Sequence, residues 1–159
     1  QGPVDGCAGC ESGARSWVKN EVWTFFTGET PPAPTTFRLR GEASGRCVDV
    51  SGASSANGTP MVVWDCHGNA NQRFTQTGQA LRVLGKCLDV PAGAAAGTAV
   101  RLWDCQGGTN QQWTSNGDGT IGNVQTGLCL DVTGAGTANG AAVIVWTCHA
   151  GANQRWARA

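Results

Sequence analysis

The sequence predicts an all-β fold in which three repeats of about 40 residues pool their apolar faces in a closed, pseudo-threefold β-barrel. Three observations support this. Cysteines recur at near-constant spacing, short motifs recur in register with them, and the composition favours strands and turns. The chain has 159 residues with 24 Gly, 7 Trp, no Tyr and only 14% charged residues. Much glycine with many aromatics and few charges fits short strands joined by turns, not long helices.

The cysteines set the frame. Cys47 and Cys66 are 19 residues apart, Cys87 and Cys105 18, and Cys129 and Cys148 19. Eight cysteines allow many pairings, but this spacing suggests one bridge inside each of three equivalent units. Cys7 and Cys10 form a separate pair. Metal ligation is the weaker reading, since only Cys7-Ala8-Gly9-Cys10 has the CxxC form of a zinc knuckle and no partner knuckle follows. No metal or cofactor site is expected. Bridged cysteines point to an oxidising, extracellular compartment.

Each unit opens on a similar strand: Gly45-Arg46-Cys47-Val48-Asp49-Val50, Gly85-Lys86-Cys87-Leu88-Asp89-Val90 and Gly127-Leu128-Cys129-Leu130-Asp131-Val132. A turn signal follows at Asn57-Gly58, Ala96-Gly97 and Asn139-Gly140, and Asn-Gly favours hairpin turns. A β-rich middle strand comes next: Val63-Trp64-Asp65-Cys66, Leu102-Trp103-Asp104-Cys105 and Val145-Trp146-Thr147-Cys148. Along it Val63, Leu102 and Val145 share one face. Trp64, Trp103 and Trp146 share the other with Val62, Arg101 and Ile144. Arg101 is hard to bury unpaired, so the tryptophan face is expected to be the accessible one. Each unit closes on Asn71-Gln72-Arg73-Phe74, Asn110-Gln111-Gln112-Trp113 or Asn153-Gln154-Arg155-Trp156. Phe74, Trp113 and Trp156 are expected core plugs.

Three Cys-Leu-Asp-Val-like openings, each with a Gln-x-Trp-like close, resemble the ricin-type β-trefoil lectin family, also grouped among carbohydrate-binding modules. The resemblance covers about residues 37–159 and implies a β-trefoil with up to three shallow sugar pockets. It places the sugar contacts at Asp49, Trp64 and Asn71; at Asp89, Trp103 and Asn110; and at Asp131, Trp146 and Asn153. The chemistry suits a sugar. An indole offers a flat platform for the apolar face of a pyranose, a carboxylate accepts hydroxyl hydrogens, and an amide both donates and accepts. The aspartates could instead be turn formers that bond nearby backbone N–H groups. Gln72, Gln111 and Gln154 are expected to support the pocket floor. His67 and His149 either flank the pocket or are plain loop residues, with Gln106 in the corresponding place. One departure concerns specificity. The family often has a Gln two residues before the aromatic, and here those positions are Val62, Arg101 and Ile144. The first and third pockets are therefore expected to be more apolar and the second cationic, and a galactose preference does not follow.

The first 36 residues are not a repeat. Trp17, Val18, Glu21, Val22 and Phe25 recur at helical spacing, Ser12 or Ser16 can cap the segment, and Gly28 stops it. Residues 1–28 read as an arm, 29–36 as a stiff Pro/Thr linker, and 37–159 as the trefoil, with repeats near 37–84, 85–125 and 126–159. Asn20–Phe26 is similar to the last helix of secreted α/β-hydrolases such as feruloyl or acetylxylan esterases and polyhydroxyalkanoate depolymerases. That similarity implies a linked catalytic domain; otherwise the arm packs on the trefoil or on a second chain. Gln1-Gly2-Pro3-Val4 lacks a signal peptide's basic start and apolar core. The chain is therefore expected to be mature secreted material or part of something longer.

Composition excludes other classes. With 11 basic and 11 acidic residues, nothing could neutralise a run of phosphates, so nucleic acid is not an expected partner. No stretch of about 18 apolar residues exists to span a membrane. No Gly-x-Ser-x-Gly elbow is present, and no carboxylate pair stands out for glycoside chemistry. The expectation is a non-catalytic module binding mono-, oligo- or polysaccharides, which targets a secreted polysaccharide-active enzyme, an esterase or glycoside hydrolase, to plant cell-wall polysaccharide such as xylan, arabinan or galactan. The alternatives are a β-trefoil for protein–protein contact or inhibition, and an esterase fragment.

Overall fold

Short runs of β-branched and apolar residues broken by glycine turns produce twelve strands of three or four residues among residues 36–159, which the computed structural model describes. The expected helical arm (1–28), Cys7, Cys10 and the linker up to residue 35 lie outside the described residues.

The first unit contains β1 (Leu39–Gly41), β2 (Cys47–Val50), β3 (Met61–Trp64) and β4 (Thr75–Thr77). The second contains β5 (Ala80–Val83), β6 (Lys86–Asp89), β7 (Arg101–Trp103) and β8 (Trp113–Ser115). The third contains β9 (Ile121–Asn123), β10 (Cys129–Val132), β11 (Val143–Trp146) and β12 (Trp156–Arg158). The strands equivalent to β1 are β5 and β9, one strand ahead of the repeated motif. They form three antiparallel four-stranded sheets, ordered β12-β1-β2-β3, β4-β5-β6-β7 and β8-β9-β10-β11. Each sheet thus takes its first strand from the close of the preceding unit. Pairing of β12 with β1, in the register Leu39↔Arg158 to Gly41↔Trp156, joins the last unit to the first. This is the β-trefoil, all-β and threefold.

The core forms on the expected face. Val63, Leu102 and Val145 are fully buried together with Val48, Leu88 and Leu130 from the opening strands. Phe74, Trp113 and Trp156 plug the interior. Trp113 and Trp156 donate their indole N–H to Leu88 and Leu130 C=O, at 3.1 Å in both cases. That satisfies a polar atom which burial would otherwise penalise. The bridges are Cys47–Cys66, Cys87–Cys105 and Cys129–Cys148, one per unit.

The turn signals do a different job from closing tight hairpins. Each lies near the end of a long connection, for example 51–60, and forms a four-residue turn such as Ala56–Thr59. Its glycine has a left-handed φ (90° at Gly58, 95° at Gly97, 91° at Gly140), as the third position of a type II turn requires. The glycine N–H then bonds the middle strand of another unit: Gly58 to Leu102 C=O (2.7 Å), Gly97 to Val145 (2.7 Å) and Gly140 to Val63 (2.8 Å). The pattern is cyclic and ties the three units into one ring. At two junctions asparagine adds a clasp. Asn57 donates to Asp104 Oδ2 (2.9 Å) and accepts from the Asp104 N–H (2.9 Å). Asn139 does the same with Asp65 at 3.0 and 2.8 Å. The third junction has Ala96 in place of the asparagine and Thr147 in place of the aspartate, and the alanine methyl can make no such bond.

Candidate functional site

Each candidate site is assembled from the opening strand, the middle strand and a short 3₁₀ turn carrying the closing Asn-Gln. In every unit the opening aspartate, the closing asparagine and glutamine and the tryptophan come from segments up to 23 residues apart, as for Asp49 and Gln72. The glutamines are completely or almost completely buried and share the same three bonds, with Gln154 Oε1 also accepting the Ala150 N–H at 3.2 Å. Gln72 Nε2 donates to Asp49 Oδ2 and to Asp65 C=O, both at 2.9 Å, while Oε1 accepts the His67 N–H at 2.8 Å. Gln111 does this for Asp89, Asp104 and Gln106 at 2.7, 2.8 and 2.7 Å. Gln154 does it for Asp131, Thr147 and His149 at 2.8, 2.9 and 2.8 Å. One amide therefore anchors the carboxylate and ties the loop after the middle strand. This explains why the opening strands are buried on both faces: the closing turn covers their aspartate side.

In the first unit a cleft of about 470 Å³ is lined by Asp49, Ala53, Val62, Trp64, His67 and Asn71, among others, with Gly140 of the neighbouring turn at its edge. Trp64 is 44% exposed, and its ring edge lies against Gly140. His67 Nε2 stands 3.5 Å from Asp49 Oδ2, and His67 Nδ1 accepts the Asn69 N–H at 3.1 Å. Asn71 donates to Val50 C=O at 3.3 Å. The third unit repeats this set. Trp146 is also 44% exposed and its edge meets Gly97. His149 Nε2 lies 3.7 Å from Asp131 Oδ2, and Asn153 donates to that oxygen at 3.1 Å. Both histidines thus sit beside the pocket carboxylate. In both units Oδ1 of the aspartate accepts no hydrogen bond among the described residues, so one carboxylate oxygen stays free beside an exposed indole. Two of the four left-handed non-glycine residues among the described residues, Ala53 and Ala135, fall at these two places, the others being Leu84 and Ala150. Gly52-Ala53 (φ 64° and 55°) and Gly134-Ala135 (φ 60° and 54°) are consecutive left-handed residues at the pocket lip. Such alanine conformations cost free energy and concentrate at functional sites.

The second unit differs. Arg101 Nε donates to Asp89 Oδ1 at 2.8 Å, and Asp89 Oδ2 accepts from Gln111 (2.7 Å) and Asn110 (3.3 Å). Asn110 also donates to Val90 C=O at 2.9 Å. The Arg101 guanidinium carbon sits 4.3 Å from the centre of the Trp103 ring. Trp103 is half-buried, less exposed than Trp64 and Trp146. The expectation of a cationic second pocket is therefore corrected, because Asp89 neutralises Arg101 inside it. Composition shows the arginine but not its partner, since Asp89 and Arg101 meet only across the β6–β7 pair. Sequence reasoning also missed the inter-unit clasps. A signal for them exists: asparagine in a turn accompanies aspartate after the tryptophan of the unit it touches (Asn57 with Asp104, Asn139 with Asp65), and Ala96 accompanies Thr147.

The ricin-type beta-trefoil lectin domain family matches residues 35–157, and the chain belongs to this family. The domain is a carbohydrate-binding fold. Nigrin b of Sambucus nigra is 36% identical over 66 residues, 40% of this chain but 12% of nigrin b, so the chain spans only a small part of that relative. A non-toxic homologue of type II RIPs from Momordica charantia, solved in complex with α-methyl-D-galactoside, is 28% identical with a TM-score of 0.70, over 78% of this chain and 47% of that one. The exo-β-1,3-galactanase 1,3Gal43A of Clostridium thermocellum is 27% identical with a TM-score of 0.70, over 82% of this chain and 31% of that one.

Proposed function

We propose that this chain is a secreted carbohydrate-binding module whose principal sugar sites are Asp49-Trp64-Asn71 and Asp131-Trp146-Asn153, with His67 and His149 beside them. The carrying observation is the free Oδ1 of Asp49 and Asp131 next to an indole that is 44% exposed. A pyranose stacks its C–H face on the indole and donates a hydroxyl hydrogen to the free carboxylate oxygen. Near-neutral charge suits neutral glycans, which are recognised by flat aromatics and a few placed polar groups. Two such sites on one rigid body add avidity on a repeating polymer. The occurrence of this fold within a galactanase supports the further reading that the module holds a polysaccharide-active enzyme on xylan, arabinan or galactan. Three bridges in a small domain support secretion.

Affinity electrophoresis in xylan, arabinan and galactan gels tests this. At least one polysaccharide retards the protein, and retardation falls stepwise in Asp49→Ala, Asp131→Ala and the double variant. Unretarded migration in every gel sinks the proposal.

A further inference from the structure

We infer that Arg101 is a built-in occupant of the second pocket, so that the trefoil presents two open sugar sites rather than three. The inference rests on the sugar-binding reading above. In the first and third units the residue two before the tryptophan is Val62 or Ile144, which leaves the aspartate Oδ1 and the indole face available. In the second unit Arg101 meets both groups at once. Its Nε–H occupies Asp89 Oδ1 at 2.8 Å, and its guanidinium covers the Trp103 ring at 4.3 Å. Those are the two contacts a pyranose makes in the proposed sites, a donor on the carboxylate and a flat face on the indole.

The rest of the second pocket has changed in step. Gln106 stands where His67 and His149 stand in the other units. Pro91 replaces the hydroxyl residues Ser51 and Thr133. The paired left-handed residues of the other two lips are missing, since only Gly93 has a positive φ there. The Asp89 side chain is 1% exposed, against 7% and 5% for Asp49 and Asp131. An anionic sugar does not fit either. A uronate approaching the guanidinium would meet Asp89, whose charge already neutralises it in a poorly hydrated setting. To enter, any sugar must displace a hydrogen-bonded, stacked arginine.

The test transplants the first pocket into the second. Trp64→Ala with Trp146→Ala closes the two open sites and is expected to abolish retardation in the gel that retards the wild-type chain. Arg101→Val with Gln106→His, added to that chain, supplies the valine and histidine of the first unit. It is expected to restore retardation comparable to Trp146→Ala alone. Intact folding is checked by thermal unfolding. If the transplanted chain does not fold, Arg101→Gln in the same background replaces it, with the same expectation of restored binding. A folded transplant that stays unretarded overturns the inference. So does residual binding of the Trp64→Ala/Trp146→Ala chain that Trp103→Ala then removes. Retardation in polygalacturonate that depends on Arg101 also overturns it, because the arginine would then be a ligand contact. A wild-type chain retarded by no glycan refutes sugar binding itself, a distinct result.

Discussion

Replacing Gln72 by methionine removes the amide that supports the first pocket while keeping an unbranched side chain of similar size. Gln72 is fully buried and makes three hydrogen bonds, to the Asp49 carboxylate, Asp65 C=O and the His67 N–H. A bond to a charged group contributes about 1.5–3 kcal/mol and each backbone bond about 1 kcal/mol. Methionine satisfies none of them, so Gln72→Met should cost about 3–5 kcal/mol. For a domain of this size that lowers the Tm by roughly 10–20 °C. Urea unfolding with all bridges intact measures the loss as a lower midpoint at unchanged slope. Site-one sugar binding should disappear with it, because Asp49 loses the donor that orients it. A variant within about 0.5 kcal/mol of wild type, the usual range of neutral surface changes, would refute the argument that this amide organises the pocket.

Other outcomes follow from the same geometry. Trp64→Ala and Trp146→Ala should each cost only roughly 1–2 kcal/mol of stability, since half of each ring is already in water, yet weaken sugar binding at that site about tenfold or more. Thermal unfolding and titration with an oligosaccharide separate the two effects. Asn139, with Arg46, holds the Asp65 carboxyl below its ordinary range, and Asn57, with Lys86, does the same for Asp104. A carboxyl that ionises more readily in the folded chain favours folding above the ordinary carboxylate range, and that contribution is lost as pH falls through about 4 and below. Unfolding midpoints between pH 6 and pH 3 should therefore drop less steeply in Asn57→Ala/Asn139→Ala, whose junctions then resemble the natural Ala96 junction. Cys87→Ser with Cys105→Ser opens a loop with a separation of 18 residues and should cost about 3 kcal/mol, read by urea unfolding.

Much of the fold is legible in the chain because it is written locally and three times. The Val-Asp-Val and Leu-Asp-Val alternation, the buried Val63, Leu102 and Val145, and the closing Phe74, Trp113 and Trp156 all follow from which side of a strand a residue occupies. The sites are legible in part. Asp49, Trp64 and Asn71, with their counterparts, are pointed to by the family the motifs resemble, but the role of Gln72 as anchor for both a carboxylate and a loop needs coordinates. The turn glycines show the limit most clearly. That a glycine turn falls there is readable from Asn-Gly and Ala-Gly, whereas its type II form, in place of a tight hairpin, and the partner of Gly58, the carbonyl of Leu102 in another unit, are not.

The sequence alone determined three units and an all-β ring, because strand periodicity and repeat spacing act over a few residues, and the family its motifs resemble pointed to three aspartate–indole–asparagine sets. Tertiary structure alone decided what surrounds each set. The free carboxylate oxygens of Asp49 and Asp131, and the Arg101 that fills the space between Asp89 and Trp103, depend on cross-strand register and on turns brought from other units. Contacts such as Asn57 with Asp104, 47 residues apart, and Asn139 with Asp65, 74 apart, exist only once the ring has closed. Closure brings together residues that no local pattern links, and so it makes three similar sets differ in what surrounds them.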